Sequence, residues 1–138
     1  MPVSEYRYQR RVQFAETDMV GVVHFANFLR YMEEAEHALW REAGLSIVPP
    51  DSDIGFPRVA ASIDFHAPLY FEDEFVVHIR IEAISRRSIR YASTVLRGTT
   101  KIATGTVTAA CVRRIPPPMR AIDIPDDIAS RFAVAADK

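Results

Sequence analysis

The sequence predicts an α+β domain in which a curved antiparallel sheet of five strands wraps around one long helix. Phe25, Phe28, Leu29, Met32, Ala35, Leu39, Trp40 and Ala43 recur at helical spacing, with Arg30, Glu33, Glu34, His37 and Arg41 on the opposite side. Segments before and after that stretch alternate apolar and polar residues with the period of two of a half-buried strand. A helix with so broad an apolar stripe, beside a sheet with one apolar face, buries both when the sheet curls around it.

The opening segment carries Tyr6, Tyr8, Val12 and Phe14 on one parity and Arg7, Arg11 and Gln13 on the other, and it stops at Glu16-Thr17-Asp18. Gly44 ends the helix, because glycine readily takes the left-handed conformation of a C-terminal cap. After a loop with Pro49-Pro50 and Gly55, Val59, Ala61, Ile63 and Phe65 alternate with Arg58, Ser62, Asp64 and His66. Phe75, Val77, Ile79 and Ile81 then alternate with His78, Arg80 and Glu82. Residues 88–96 and 102–115 supply two more β-rich runs around a turn at Gly98. These four strands are expected to run as an antiparallel meander. Pro116-Pro117-Pro118 cannot continue a strand, and residues 126–132 predict a short final helix.

A chain of 138 residues is the size of a single domain, expected to span residues 1–138 with one core. Its 17 Lys and Arg against 18 Asp and Glu leave no overall positive field to attract nucleic acid, so an anionic partner needs a local arginine cluster. The one cysteine, Cys111, excludes an internal disulfide framework and suits a reducing cytoplasm, the expected compartment. No signal peptide or membrane-spanning run is expected. No His or Cys cluster has metal-ligand spacing and no serine nucleophile elbow is present, so no cofactor is implied.

Chemistry concentrates in Glu16-Thr17-Asp18-Met19-Val20-Gly21-Val22-Val23-His24-Phe25-Ala26-Asn27-Phe28. The stretch places a carboxylate in the turn leaving the first strand, with a glycine three residues later, just before the helix. An Asp in such a turn is commonly a capping or turn residue. The surrounding residues add a second reading. Asp18, Gly21-Val22-Val23, His24-Phe25 and Asn27-Phe28, followed by Leu29-Arg30-Tyr31-Met32-Glu33-Glu34-Ala35, resemble the 4-hydroxybenzoyl-CoA thioesterase family of hotdog proteins. Ala61-Ser62-Ile63-Asp64-Phe65-His66-Ala67-Pro68 and Arg120-Ala121-Ile122-Asp123-Ile124-Pro125 extend the similarity over nearly the whole chain.

The resemblance implies a hotdog fold and an acyl-CoA thioesterase in which Asp18 is the catalytic carboxylate. The chemistry suits one carboxylate: a thiolate whose thiol has a pKa of about 8.5 leaves with little help from a general acid. Asp18 could attack the carbonyl or act as base on water. By the same resemblance the oxyanion donor is the backbone N–H of Phe25, at the positive end of the helix dipole. Gly21 lets the loop pass close to the thioester and, with Val22, lines the substrate site. His24 either helps in the pocket or caps the helix. Glu33 matches an acidic position that approaches the ring hydroxyl in the hydroxybenzoyl enzyme, or is a solvated helix residue.

Coenzyme A carries phosphates that call for cations. Arg86 and Arg87, in the turn between two expected strands, and Arg120, in the C-terminal segment, match basic positions of the resembled enzyme. They are the expected nucleotide ligands, against the alternative of solvated surface arginines. The resemblance implies an aromatic thioester of the hydroxybenzoyl-CoA or 1,4-dihydroxy-2-naphthoyl-CoA type, the latter because Ala61–Pro68 resembles that subgroup, and short or medium aliphatic acyl groups are equally compatible with the residues. A non-catalytic acyl-CoA-binding module and an acyl-carrier-protein thioesterase are the alternatives. A hydratase is disfavoured, because no His pairs with a carboxylate on the helix. The expected working unit is a homodimer or homotetramer, since a sheet with two edges leaves unpaired backbone groups and members of the resembled family join their sheets edge to edge.

Overall fold

The computed structural model describes residues 1–136. Its main sheet contains β1 (Glu5–Arg11), β3 (Arg58–Phe65), β4 (Glu74–Ile84), β5 (Ser88–Arg97) and β6 (Thr100–Ala110), in the order β1-β4-β5-β6-β3 and antiparallel throughout. A small second sheet joins β2 (Ile54–Gly55), β7 (Val112–Arg113) and β8 (Arg120–Ala121). The long helix α1 spans Ala26–Glu42 and a short α2 spans Asp126–Ala129.

The meander holds for β4, β5 and β6. The fourth expected member, β3, does not pair with its sequence neighbour β4 but crosses to the far side of β6. Strand β4 pairs instead with β1 on one side and β5 on the other, so both of its edges are taken. The crossing segment is anchored by Leu69, which is fully buried, and by Val23 N–H donating to the Leu69 carbonyl at 2.8 Å.

The sheet's concave face closes on α1. Tyr31, Leu39 and Trp40 from the helix meet Ile79, Ile81 and Val95 from the sheet, all essentially inaccessible. Burying a side chain of this size contributes about 1.5–3 kcal/mol. The Trp40 indole keeps its polar edge satisfied inside this core by donating from Nε1 to the Tyr91 hydroxyl at 2.9 Å.

Several apolar residues expected in the core lie elsewhere. Phe14 is 75% exposed, because β1 ends at Arg11 and the chain enters a 3-10 turn over Phe14–Glu16, where strand parity no longer applies. Phe25 and Leu29 are exposed at the start of the helix. Strand β3 is exposed along nearly its whole length, as the outermost member of the sheet with one unpaired edge.

Gly105 on β6 is hemmed in by strand β3 and by Met32 of the helix. A Cβ there would stand 2.7 Å from the Ser62 carbonyl oxygen and 3.0 Å from Met32 Cε. Since a strand backbone cannot yield as a flexible side chain does, Gly105→Ala is expected to lower stability by about 1–3 kcal/mol in urea unfolding. A midpoint equal to wild type would show that β3 and β6 can move apart freely.

Candidate active site

The loop between β1 and α1 is closed by backbone before any side chain is considered. The Asp18 N–H donates to the Val22 carbonyl at 2.9 Å, and the Gly21 N–H donates to the Asp18 carbonyl at 3.0 Å. Gly21 sits at φ +95°, a left-handed conformation that a side chain would strain, with nothing near its Cβ direction. The glycine is thus needed for the turn itself. Val22 is half-buried and bridges to Tyr70 on the crossing segment.

Within this turn the two oxygens of the Asp18 carboxylate differ in their surroundings. Its Oδ1 accepts from the Val20 N–H at 2.9 Å and the Val22 N–H at 3.4 Å, as a turn aspartate does. Its Oδ2 accepts no hydrogen bond among the described residues. One carboxylate oxygen is oriented by the backbone while the other remains available for chemistry.

The helix start is equally defined. His24 Nδ1 accepts the Ala26 N–H at 3.1 Å, the His24 carbonyl accepts from Asn27 at 2.9 Å and the Phe25 carbonyl accepts from Phe28 at 3.3 Å. The Phe25 N–H donates to no acceptor among the described residues. It is therefore the helix-terminal donor open to a ligand. His24 precedes the N-cap residue Phe25, its ring stacked on that of Phe25 at 4.7 Å.

A cluster that sequence inspection missed ties these two pieces together. Glu16 Oε1 accepts from the Gln13 N–H at 2.8 Å and the Tyr31 hydroxyl at 2.7 Å, and Oε2 accepts from Arg10 Nη2 at 2.5 Å. Arg10 also donates from Nε to Glu34 Oε1 at 2.9 Å and lies over the Tyr31 ring at 5.0 Å. Tyr8 adds a bond from its hydroxyl to Glu34 at 2.8 Å. The Glu16 main chain takes part as well, its carbonyl accepting from the His24 N–H and from Asn27 Nδ2, both at 2.9 Å. The available signal was parity: Arg10 shares the inward face of β1 with Tyr6, Tyr8 and Val12. Burial alone would raise the Glu16 carboxyl, but the bonds from Arg10, Gln13 and Tyr31 and the Arg10 charge hold it below its ordinary value. Burial and the bond to Glu16 push the Tyr31 hydroxyl up.

The arginines lie at the other end of the fold. Arg86 and Arg87 occupy the turn after β4 and share Asp123 Oδ1 at 3.3 and 3.0 Å, all three well exposed. Backbone bonds from Ile124 to Arg86 and from Cys111 to Arg87 hold that turn against the C-terminal segment, where Arg120 faces Arg113 across β7 and β8. Strand β4 begins beside Arg11 and ends next to this turn. At about 3.4 Å per residue its length separates the Asp18 end from Arg86 and Arg87 by roughly 34 Å. The structure brings the arginines together but not to the aspartate of the same chain.

Glu33 lies at the rim of a cavity of about 320 Å³ beside the helix, with its carboxylate 3.4 Å from Arg58 Nη2. Glu36, one turn further, is 3% exposed and paired with Arg58. Burial raises its carboxyl, against the opposing effect of Arg58. Its spacing of four residues from both Met32 and Trp40 places it on the apolar stripe, a signal that sequence inspection passed over.

Residues 12–132 match the model of the thioesterase-like superfamily. The chain belongs to this superfamily. The expected enzyme class, a thioester hydrolase acting on acyl-CoA, follows from that membership. A 1,4-dihydroxy-2-naphthoyl-CoA hydrolase of Synechococcus elongatus is 33% identical over 91 residues, covering 64% of this chain and 67% of that protein. The structure of a 1,4-dihydroxy-2-naphthoyl-CoA thioesterase from Synechocystis matches with a TM-score of 0.85 and 26% identity, over 93% of this chain and 95% of that one. A 4-hydroxybenzoyl-CoA thioesterase shares the hotdog fold, with a TM-score of 0.84 and 20% identity over 94% and 99% of the two chains. Among the described residues no helix of this thioesterase is long and apolar enough to cross a membrane.

The Glu16 cluster generates a prediction. Arg10 and Glu16 have side-chain exposures of 15% and 14%, so Arg10→Ala leaves a largely buried carboxylate unpaired and is expected to cost about 3 kcal/mol. A carboxyl held below its unfolded value adds stability that is complete above that value, near 4.3 for Glu, and is lost as pH falls through the lower folded value. Urea unfolding below about pH 4.3 should therefore show wild type losing stability more steeply than Glu16→Gln. Parallel acid slopes for the two proteins would contradict the assignment.

Proposed function

We propose that this thioesterase hydrolyses an aromatic acyl-CoA of the 1,4-dihydroxy-2-naphthoyl-CoA type, with Asp18 as the catalytic carboxylate and the Phe25 N–H as oxyanion donor. The observation that carries the reading is the division of labour within Asp18: Oδ1 is fixed by two backbone N–H groups and Oδ2 is unengaged, on a loop closed against the helix start. The aromatic acyl group rests on the similarity to the cyanobacterial hydrolase and thioesterase.

In the base route Oδ2 removes a proton from water as the water oxygen bonds to the thioester carbon. The carbonyl oxygen becomes an oxyanion stabilised by the Phe25 N–H and the helix dipole. Collapse re-forms the carbonyl, breaks the C–S bond and releases the CoA thiolate, which takes up a proton. In the nucleophilic route Oδ2 itself bonds to that carbon, the C–S bond breaks to release the CoA thiolate, and water opens the resulting anhydride to free the acid and regenerate the Asp18 carboxylate. Both routes use the same two groups.

The working unit in this reading is at least a dimer, in which Arg86, Arg87 and Arg120 of one chain hold the nucleotide of a CoA whose thioester lies at Asp18 of another. The separation of these groups within one chain supports it, as does the unpaired edge of β3 with Val59 and Phe65 exposed. The cytoplasm is the compartment we assign, on the strength of the unpaired Cys111.

Asp18→Asn is the direct test, because an amide neither attacks the carbonyl nor accepts the proton. Thiol release from 1,4-dihydroxy-2-naphthoyl-CoA is expected to fall a hundredfold or more at unchanged urea stability, about the usual scale for a catalytic acid or base. Retention of most of the wild-type rate would remove Asp18 from the chemistry.

A further inference from the structure

The helix covers the concave face of the sheet unevenly. It packs chiefly over β1 and β4, and a cavity of about 320 Å³ remains between its second and third turns and the inner faces of β3, β5 and β6. Leu29, Met32, Ala61 and Val107 give it mainly apolar walls. In that setting a polar side chain that makes no bond needs a physical account.

Ser93 is such a side chain. It lies on β5 between Ile79 of β4 and Gly105 of β6, on the inward face, and is 5% exposed. It lines the cavity, and its hydroxyl makes no hydrogen bond among the described residues. The hydroxyl is not sealed in the core, since among the described residues the buried side-chain polar atom left without a partner is Arg80 Nε; Ser93 Oγ is reached through the cavity and is open to a ligand there. Behind Ser93, on the same face, Tyr91 accepts from Trp40 Nε1, and Glu36 pairs with Arg58. These neighbours are engaged with one another. Ser93 alone has its full bonding capacity unused.

The location relative to the reacting centre is informative. Gly105, the cross-strand neighbour of Ser93, is in contact range of Met32, which places Ser93 at the level of that residue along the helix. Met32 is seven residues beyond Phe25, a rise of about 10 Å from the proposed oxyanion donor. An aryl acyl group with its carbonyl at the Phe25 N–H would run along the helix and bring a ring hydroxyl to Ser93.

We propose that Ser93 is a specificity-determining residue whose hydroxyl hydrogen-bonds a ring hydroxyl of the acyl group, so that the enzyme selects phenolic aryl thioesters over those lacking that hydroxyl. This rests on the acyl-CoA thioesterase reading above and adds to it the chemical feature of the acyl group that is recognised. Glu33 at the rim is half-exposed and engaged by Arg58, and is secondary in this selection.

The test compares kcat/KM for 1,4-dihydroxy-2-naphthoyl-CoA and 1-hydroxy-2-naphthoyl-CoA, which differ in one ring hydroxyl, in wild type and in Ser93→Ala. Wild type should prefer the dihydroxy substrate, and Ser93→Ala should reduce that preference about three- to tenfold, the worth of one neutral hydrogen bond, by losing rate on the dihydroxy substrate alone. Equal losses on both substrates, an unchanged ratio, or a wild type with no preference would overturn the role of Ser93. Failure of wild type to release CoA from either thioester would instead sink the thioesterase reading on which the comparison depends.

Discussion

The site depends first on how residue Glu16 is held. Its carboxylate takes bonds from Arg10 on β1, from the Gln13 N–H and from Tyr31 on α1, while its carbonyl takes bonds from His24 and Asn27 at the helix start. Strand, turn and helix are thereby fixed about a single residue, two positions before Asp18. Charge-assisted bonds in a largely buried setting are strong and directional, so the loop has little freedom to reposition the carboxylate. The turn geometry that frees Asp18 Oδ2 and leaves the Phe25 N–H without an acceptor rests on this anchoring.

The same strand order that buries the helix also separates the chemistry from the phosphate-binding candidates. With β1 and β4 antiparallel, the loop bearing Asp18 lies at the start of β4, and the turn bearing Arg86 and Arg87 at its end. No rearrangement of side chains spans that distance. In our reading a second copy supplies the missing half, and the exposed β3 edge offers the backbone groups through which two sheets could continue.

Much of this was legible in the residues themselves. The alternation in β1, β4 and β5 and the helical period of α1 identified the elements, and the density of the motif from Asp18 to Phe28 identified the family. Strand order was not legible, because alternation reports which face of a strand is buried and not which neighbour it pairs with. For that reason β3 read as part of a meander. Phe25 and Leu29 read as core because periodicity cannot tell how far a sheet extends over a helix. Arg10 and Glu36 were passed over because charge is normally outside, and their burial is understood once Glu16 and Arg58 are seen opposite them. The sequence offered Asp18 as turn residue or catalyst; in the structure one oxygen supports the turn and the other is unengaged, an arrangement that accommodates both roles.

The central claim is that one working site draws Asp18 from one chain and its arginines from another. Subunits carrying Asp18→Asn can be mixed with subunits carrying Arg86→Ala, Arg87→Ala and Arg120→Ala under conditions that allow exchange, and thiol release measured at subsaturating acyl-CoA. If the site is shared, each hybrid dimer contains one intact site, and random mixing of equal amounts should restore about a quarter of wild-type activity from two nearly inactive parents. If each chain carries a whole site, every site in the mixture retains a defect, and activity staying at the mean of the parents would contradict the account.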